Sequence, residues 1–258
     1  MIELKNITKR FPIFDDKPVK DKEFPGKLHS NQIRDGYFYA LEDISLFIKS
    51  GSCTIIAGEN GCGKSLLMSI IAGLEEPTSG TVKTIAKPGL VFQEADAQIL
   101  GETPAEDIAF GPRNMKLKKE EIQCRVEYSL SETGLTEKAD FPARSLSGGE
   151  KRRLAAAGII AMNSQVIIFD EPYANLDYRG IRQVNRLLKK FIKENITVII
   201  LTHELEKCMA LADHFIVLSS GKKVFDGTPD EALIQDLESW GIHHPLGKIQ
   251  NSLEDLLW

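Results

Sequence analysis

The chain has 258 residues, 42% hydrophobic and 27% charged, which is enough apolar material for the core of one large α/β domain or two small ones. Its 32 Lys and Arg against 37 Asp and Glu give a net charge of −5, which argues against nucleic acid as the main partner, because phosphate-backbone binding draws on clustered cations. No stretch reaches the roughly 18 to 20 apolar residues that cross a bilayer, residues 1–5 lack an export pattern, and Cys53, Cys62, Cys124 and Cys208 lack metal-ligand spacing, so reduced cytosolic thiols are expected.

In chain order, residues 2–7 and 44–48 alternate partly, as strands with one wet face do, and predict an antiparallel edge on a parallel sheet. Between them, Pro12, Pro18 and Pro25 punctuate a charge-dense stretch without periodicity, which reads as an insertion loop over about residues 12–38. Residues 54–57 form a β-branched strand, residues 66–72 a helix and residues 90–92 a further strand. Ile122, Val126 and Leu130 line one face of a helix within a helical subdomain spanning roughly 94–162. Residues 166–169 form a wholly apolar strand and residues 197–201 a β-branched one, and residues 230–240 read as a helix in a C-terminal helical tail, 229–258. His243 and His244 in that tail lack a third ligand at metal spacing. Short apolar strands alternating with helices predict the α/β class around a mostly parallel sheet.

Three strands end in polar residues, and in open α/β sheets ligands sit at such carboxyl ends. The first ending, Gly58-Glu59-Asn60-Gly61-Cys62-Gly63-Lys64-Ser65, fits the phosphate-binding loop G-x-x-x-x-G-K-[ST] and lies between a strand and a helix that opens at Leu66. Its glycines let backbone N–H groups turn towards phosphate oxygens, Lys64 reaches the outer phosphates, and Ser65 offers a hydroxyl to Mg²⁺. Cys62 is a small residue in this loop, although a helix N-terminus also lowers a thiol's pKa and opens a reactive role. The second ending delivers Asp170, suited to the Mg²⁺ shell, and Glu171, suited to act as general base on water. The third delivers His203 towards a γ-phosphate, and Gln93, after residues 90–92, offers a carbonyl oxygen to the metal.

Leu146-Ser147-Gly148-Gly149-Glu150, followed by a helix with a small-residue face and then by the Asp170-Glu171 strand, completes an order of motifs that resembles the ATP-binding cassette (ABC) ATPases from residue 2 to about 228. The resemblance implies an ABC ATPase domain over residues 1–228 that binds ATP and Mg²⁺. It further implies that Ser147, Gly148, Gly149 and Glu150 of one subunit cap the nucleotide on the phosphate loop of a second ATPase subunit. Asp177, in Asn175-Leu176-Asp177, takes the D-loop position that links the two sites. Tyr173 and Asn175 stand where that region usually has Thr and Gly. The family stacks adenine on an aromatic near the N-terminus; Phe11 fits that position, with Tyr37, Phe38 and Tyr39 as rivals.

Within the family, the run from Val91-Phe92-Gln93 through Asp96-Ala97-Gln98-Ile99, then Glu106-Asp107-Ile108-Ala109-Phe110-Gly111-Pro112, is similar to the ATPase subunits of energy-coupling factor (ECF) importers of metal ions and vitamins, as are residues 157–162. The implied partners are a second ATPase, identical or paralogous, a transmembrane coupling protein and a substrate-capture membrane protein, at the cytoplasmic face of the membrane. Other ABC importer or exporter classes, and soluble non-transport ABC ATPases of DNA repair or translation, are the alternative readings. The second of these is opposed by the lack of heptads, of a second phosphate loop and of net positive charge.

Overall fold

The computed structural model describes residues 1–13 and 32–247. Its strands are β1 (Ile2–Pro12), β2 (Ile33–Arg34), β3 (Tyr37–Ile48), β4 (Cys53–Ala57), β5 (Ser79–Thr84), β6 (Gly89–Val91), β7 (Val166–Asp170), β8 (Thr197–Leu201), β9 (His214–Ser219) and β10 (Lys222–Gly227). The helices are α1 (Lys64–Ile71), α2 (Pro104–Asn114), α3 (Lys119–Thr133), α4 (Gly148–Ala161), α5 (Tyr178–Lys193) and α6 (Pro229–Leu233).

The apolar runs become β4, β7 and β8, buried along their whole length as strands covered on both faces must be. They sit in a six-stranded sheet of order β10-β9-β4-β8-β7-β6, in which only the β10–β9 pairing is antiparallel. Alternation along each strand sends Ile55, Ile167, Phe169, Val198 and Ile200 into one core and Ile56, Ile168, Ile199 and Leu201 into another. Leu201 pairs with Ile56 on one side and Asp170 on the other. The carboxyl ends of β4, β7 and β8 are therefore level, and their polar endings share one edge of the sheet.

The expected antiparallel edge differs in place. Residues 2–7 and 44–48 join a separate sheet, β2-β3-β1-β5, while the edge of the parallel sheet is β10. Alternation reveals a half-covered strand, but which sheet it joins is set by long-range packing: Ile2, Leu4, Ile7, Ile44 and Ile48 share a core with Leu67, Met68, Ile70 and Ile71 of α1 and with Ile56 and Ile199 of the parallel sheet. The insertion is also narrower than expected. β1 continues to Pro12, with Phe11 opposite Phe38 and Pro12 opposite Tyr37, and β2 turns into β3 through Asp35 (φ 52°) and Gly36 (φ 74°). Two left-handed residues between paired strands make the turn type that Asp-Gly favours. Residues 14–31 of the expected loop lie outside the described residues.

Helices α2, α3 and α4 pack around Ile108, Val126, Leu130, Leu146, Leu154 and Ala157, a core of their own. Phe110, Gly111 and Pro112 lie inside α2, and a Cβ on Gly111 would meet the Met162 side chain at 2.6 Å, so glycine there permits close approach to the end of α4. The helix expected over residues 230–240 is broken. α6 stops at Leu233, and a 3-10 turn over Leu237–Trp240 restarts where Asp236 caps the Ser239 amide. The break lets Ala232, Leu237 and Ile242 all be buried. His244 takes a contact to the Leu233 carbonyl (3.0 Å). Residues 248–258 of the expected tail lie outside the described residues.

Candidate active site

The phosphate-loop residues open a cavity of about 340 Å³ at the level carboxyl edge. Phe11, Phe38 and Ala40 form one part of its wall; Asn60, Gly61, Gly63, Lys64, Ser65 and Leu66 form a second; Gln93, Asp170 and Glu171 form the third. Two loop glycines are sterically required. A Cβ on Gly58 would lie 2.2 Å from the Leu218 carbonyl oxygen, and one on Gly63 (φ 107°) would lie 2.6 Å from Leu41. Gly58, Glu59 and Cys62 are not among the residues that line the cavity. Cys62 is buried, and burial pushes its thiol up, so the reactive role open to a thiol at a helix N-terminus does not arise.

Lys64 is buried, and its Nζ donates to the carbonyls of Gly58 (2.7 Å) and Glu59 (3.1 Å) while lying 4.0 Å from Glu171 Oε1. Burial pushes the Asp170 carboxyl up, and the neighbouring Glu171 adds to this, while a hydrogen bond from Ser65 and the charge of Lys64 pull it back. Two buried carboxylates against one ammonium leave the cavity short of positive charge. Ser65 and Asp170 in contact, with Gln93 on the same wall, are an all-oxygen donor set that fits Mg²⁺.

Glu171 has φ 44°, a left-handed conformation unusual for its type, which turns it back towards β8. Its N–H donates to the Leu201 carbonyl (2.8 Å), its Oε2 accepts from the Thr202 hydroxyl (2.9 Å), and its Oε1 lies 2.9 Å from His203 Nδ1. His203 thus reaches the site through Glu171 and does not itself line the cavity. Thr202, fully buried, opens the third polar strand ending, but no motif gives it a role of its own. A threonine just after a β-branched strand marks the polar ending but does not by itself name a partner.

The remaining predicted residues lie elsewhere. Ser147 and Gly148 are exposed at the start of α4, where Ser147 and Glu150 form a reciprocal capping box and Lys138 binds Glu150 Oε1 (2.6 Å). A Cβ on Gly149 would lie 3.4 Å from Leu176, so this segment and the D-loop segment touch. Asp177 caps α5 by accepting from the Gly180 N–H (2.7 Å). The two unusual D-loop residues have simple accounts. Asn175 (φ 59°) holds a left-handed conformation that asparagine tolerates in place of glycine. Tyr173 is fully buried, its hydroxyl donating to Asn185 Oδ1 (2.6 Å) while Asn185 donates to the Lys207 carbonyl (2.8 Å). Gln98, four residues after 94, accepts from the Phe92 N–H (2.8 Å) and donates to the Leu90 carbonyl (2.7 Å), and Arg152 of α4 donates to the Gln93 carbonyl (3.4 Å). The aromatic rivals also separate: Phe11 and Phe38 line the cavity, whereas Tyr37 and Tyr39 lie against the Arg10 guanidinium, 4.1 and 5.9 Å from its centre.

Residues 41–174 match the ABC transporter family. The chain is 44% identical to the energy-coupling factor transporter ATP-binding protein EcfA1 of Caldanaerobacter subterraneus subsp. tengcongensis, over 80% of each chain. It is 39% identical to the EcfA of Methanocaldococcus jannaschii, over 77% of this chain and 76% of that one. Among solved structures it resembles cbiO1 from Clostridium perfringens, described as part of the ABC transporter complex cbiONQ, with a TM-score of 0.74 and 32% identity over 91% and 90% of the two chains. It also resembles the dimeric ATP-binding cassette MJ0796 bound to ADP and Pi, with a TM-score of 0.73 and 26% identity over 89% and 99%. Phosphate loop, acidic pair and His203 at one sheet edge, with the Leu146-Ser147-Gly148-Gly149-Glu150 signature segment on a separate exposed surface, agree with these likenesses: the chain belongs to the ABC transporter family of ATP-hydrolysing subunits, on the branch of the energy-coupling factor ATP-binding proteins.

Proposed function

We propose that this chain is one half of a paired ATPase that drives an ECF-type importer of a metal ion or vitamin. The observation that carries the pairing is the separation of the two half-sites. The cavity holds Lys64, Ser65, Asp170 and Glu171, whereas Ser147 and Gly149 stand outside its wall on another surface. A second cassette, identical or paralogous, brings its signature over this cavity. Both the base and the signature are present in this one sequence, so a homodimer would carry two complete sites.

On ATP binding, Lys64 exchanges the Gly58 and Glu59 carbonyls for phosphate oxygens, and Phe11 with Phe38 receives the adenine ring. Ser65, Asp170 and Gln93 would hold the Mg²⁺, which would offset the charge of the phosphates. Glu171 takes a proton from the attacking water through Oε1, and His203 leaves that oxygen to contact the γ-phosphate. The segment from Gln93 to the signature, tied to α4 by Arg152, passes the movement to a transmembrane coupling protein. A separate membrane protein captures the substrate, and the chain works at the cytoplasmic face of the membrane. No helix among the described residues is long and apolar enough to cross it alone.

Glu171→Gln is expected to keep ATP binding and to lower turnover roughly 100-fold or more, the scale of a positioned base. Turnover at the parent rate in the reconstituted complex would remove Glu171 from that role. Co-purification with a polytopic coupling subunit supports the importer reading, and recovery with ribosomes or DNA opposes it.

A further inference from the structure

Three consecutive residues at the end of β8 hold Glu171: the Leu201 carbonyl takes its N–H, Thr202 its Oε2, and His203 its Oε1. They are not equivalent. The His203 side chain is 47% exposed and free to change partner, whereas Thr202 is fully buried and pinned to the sheet by its N–H on the Ile56 carbonyl (3.3 Å). A threonine hydroxyl has one proton and two lone pairs. The Glu204 N–H donates to Thr202 Oγ1 (3.1 Å), which directs the proton to Glu171 Oε2.

We infer that Thr202 is a positioning residue: it fixes Oε2 of Glu171, so that when His203 departs, the carboxylate stays aimed and Oε1 alone becomes available to the attacking water. The left-handed backbone of Glu171 needs such an anchor, because a strained φ persists only where its surroundings over-determine it. This inference rests on the reading of Glu171 as the base. It adds a division of labour between the two oxygens, one held by a buried hydroxyl and one free to react.

The test compares Thr202→Val, nearly isosteric without the hydroxyl, with Thr202→Ser, and crosses both with changes at Glu171. Thr202→Val is expected to lower kcat roughly 10- to 100-fold, the range that hydrogen bonds to charged groups span. KM for ATP and the affinity for a fluorescent ATP analogue should not change. Thr202→Ser should recover most of the rate, and Thr202→Val in the Glu171→Gln background should cost little more than Glu171→Gln alone. Thr202→Ala takes the place of valine where the latter does not fold. In the nucleotide-free protein, the losses of thermal midpoint from Thr202→Val and Glu171→Ala should be less than additive. A parent-like kcat in Thr202→Val, or multiplicative rates together with additive midpoints, overturns the inference. Parent-like turnover in Glu171→Gln instead overturns the base reading, and the midpoint cycle then judges the Thr202–Glu171 contact by itself.

Discussion

Replacing Glu150 by Gln tests how much the carboxylate charge at the cap of the signature helix contributes to stability. Ser147 accepts from the Glu150 amide, and Glu150 Oε2 accepts from the Ser147 N–H (2.9 Å), while Lys138 grips Oε1 at 2.6 Å. The Lys138 bond, with help from Ser147 and against the cost of burial, holds the Glu150 carboxyl at about 2, below its ordinary 4.5. Lys138 is 39% exposed, so water screens the pair, and the charge contributes about 1 kcal/mol to stability. Gln keeps the capping geometry and removes the charge, so it isolates that part. Because the folded value lies below the unfolded one, the contribution is full above about pH 4.5 and is lost as the pH falls towards 2, half of it near about pH 3. Urea unfolding of parent and Glu150→Gln should therefore show a deficit of about 1 kcal/mol at about pH 7 that narrows below about pH 4.5, with unchanged m-values. Equal stability at neutral pH, or a deficit that does not narrow in acid, would refute the argument.

Phe11→Ala and Phe38→Ala should each weaken ATP binding roughly 10-fold while leaving kcat at saturating ATP close to the parent, since stacking on a base adds affinity without touching the phosphates. A titration with a fluorescent ATP analogue reads this, and loss at one position only would assign adenine to that ring. Cys62 should resist a maleimide in the native protein while exposed Cys124 reacts, as mass spectrometry of labelled peptides can show. Rapid native labelling of Cys62 would mean that the phosphate loop opens.

Much of the site was legible because its information is local. The phosphate loop is a spacing of glycines, Lys64 and Ser65, and β4, β7 and β8 are apolar runs whose ends must be polar. Less was legible where a residue's meaning depends on a distant neighbour. Asp35-Gly36 carries a hairpin signal, but Pro12 and the charges after it drew the whole stretch into one loop, although strand pairing reaches Phe11 and Phe38. Asp236 breaks the tail helix because its side chain caps Ser239, an arrangement that is favourable only when Leu237 and Ile242 reach the core. Thr202 opens the polar ending of the third strand, but its partner was not legible, since Glu171 lies 31 residues away in sequence and approaches only through the β7–β8 register.

That register also bears on how one cassette senses another. From Glu171 the chain runs through buried Tyr173, tied by Asn185 to the carbonyl of Lys207, and then through left-handed Asn175 to Leu176, which packs beside Gly149 of the signature. On the other side, Thr202 and His203 hold the same carboxylate, and Glu204 pairs with Lys207, closing a loop of contacts around the D-loop turn. The exposed signature segment and the carboxylate proposed as the base are therefore joined by a few packed residues within one chain. Contact alone is not coupling, which requires an element with two arrangements. His203 supplies one: on Glu171 Oε1 in the structure described, and on the γ-phosphate in the proposed closed state. If Tyr173 and Thr202 keep the rest of the strip rigid, closure of the pair changes what His203 touches while Glu171 stays aimed, and hydrolysis then waits on the partner.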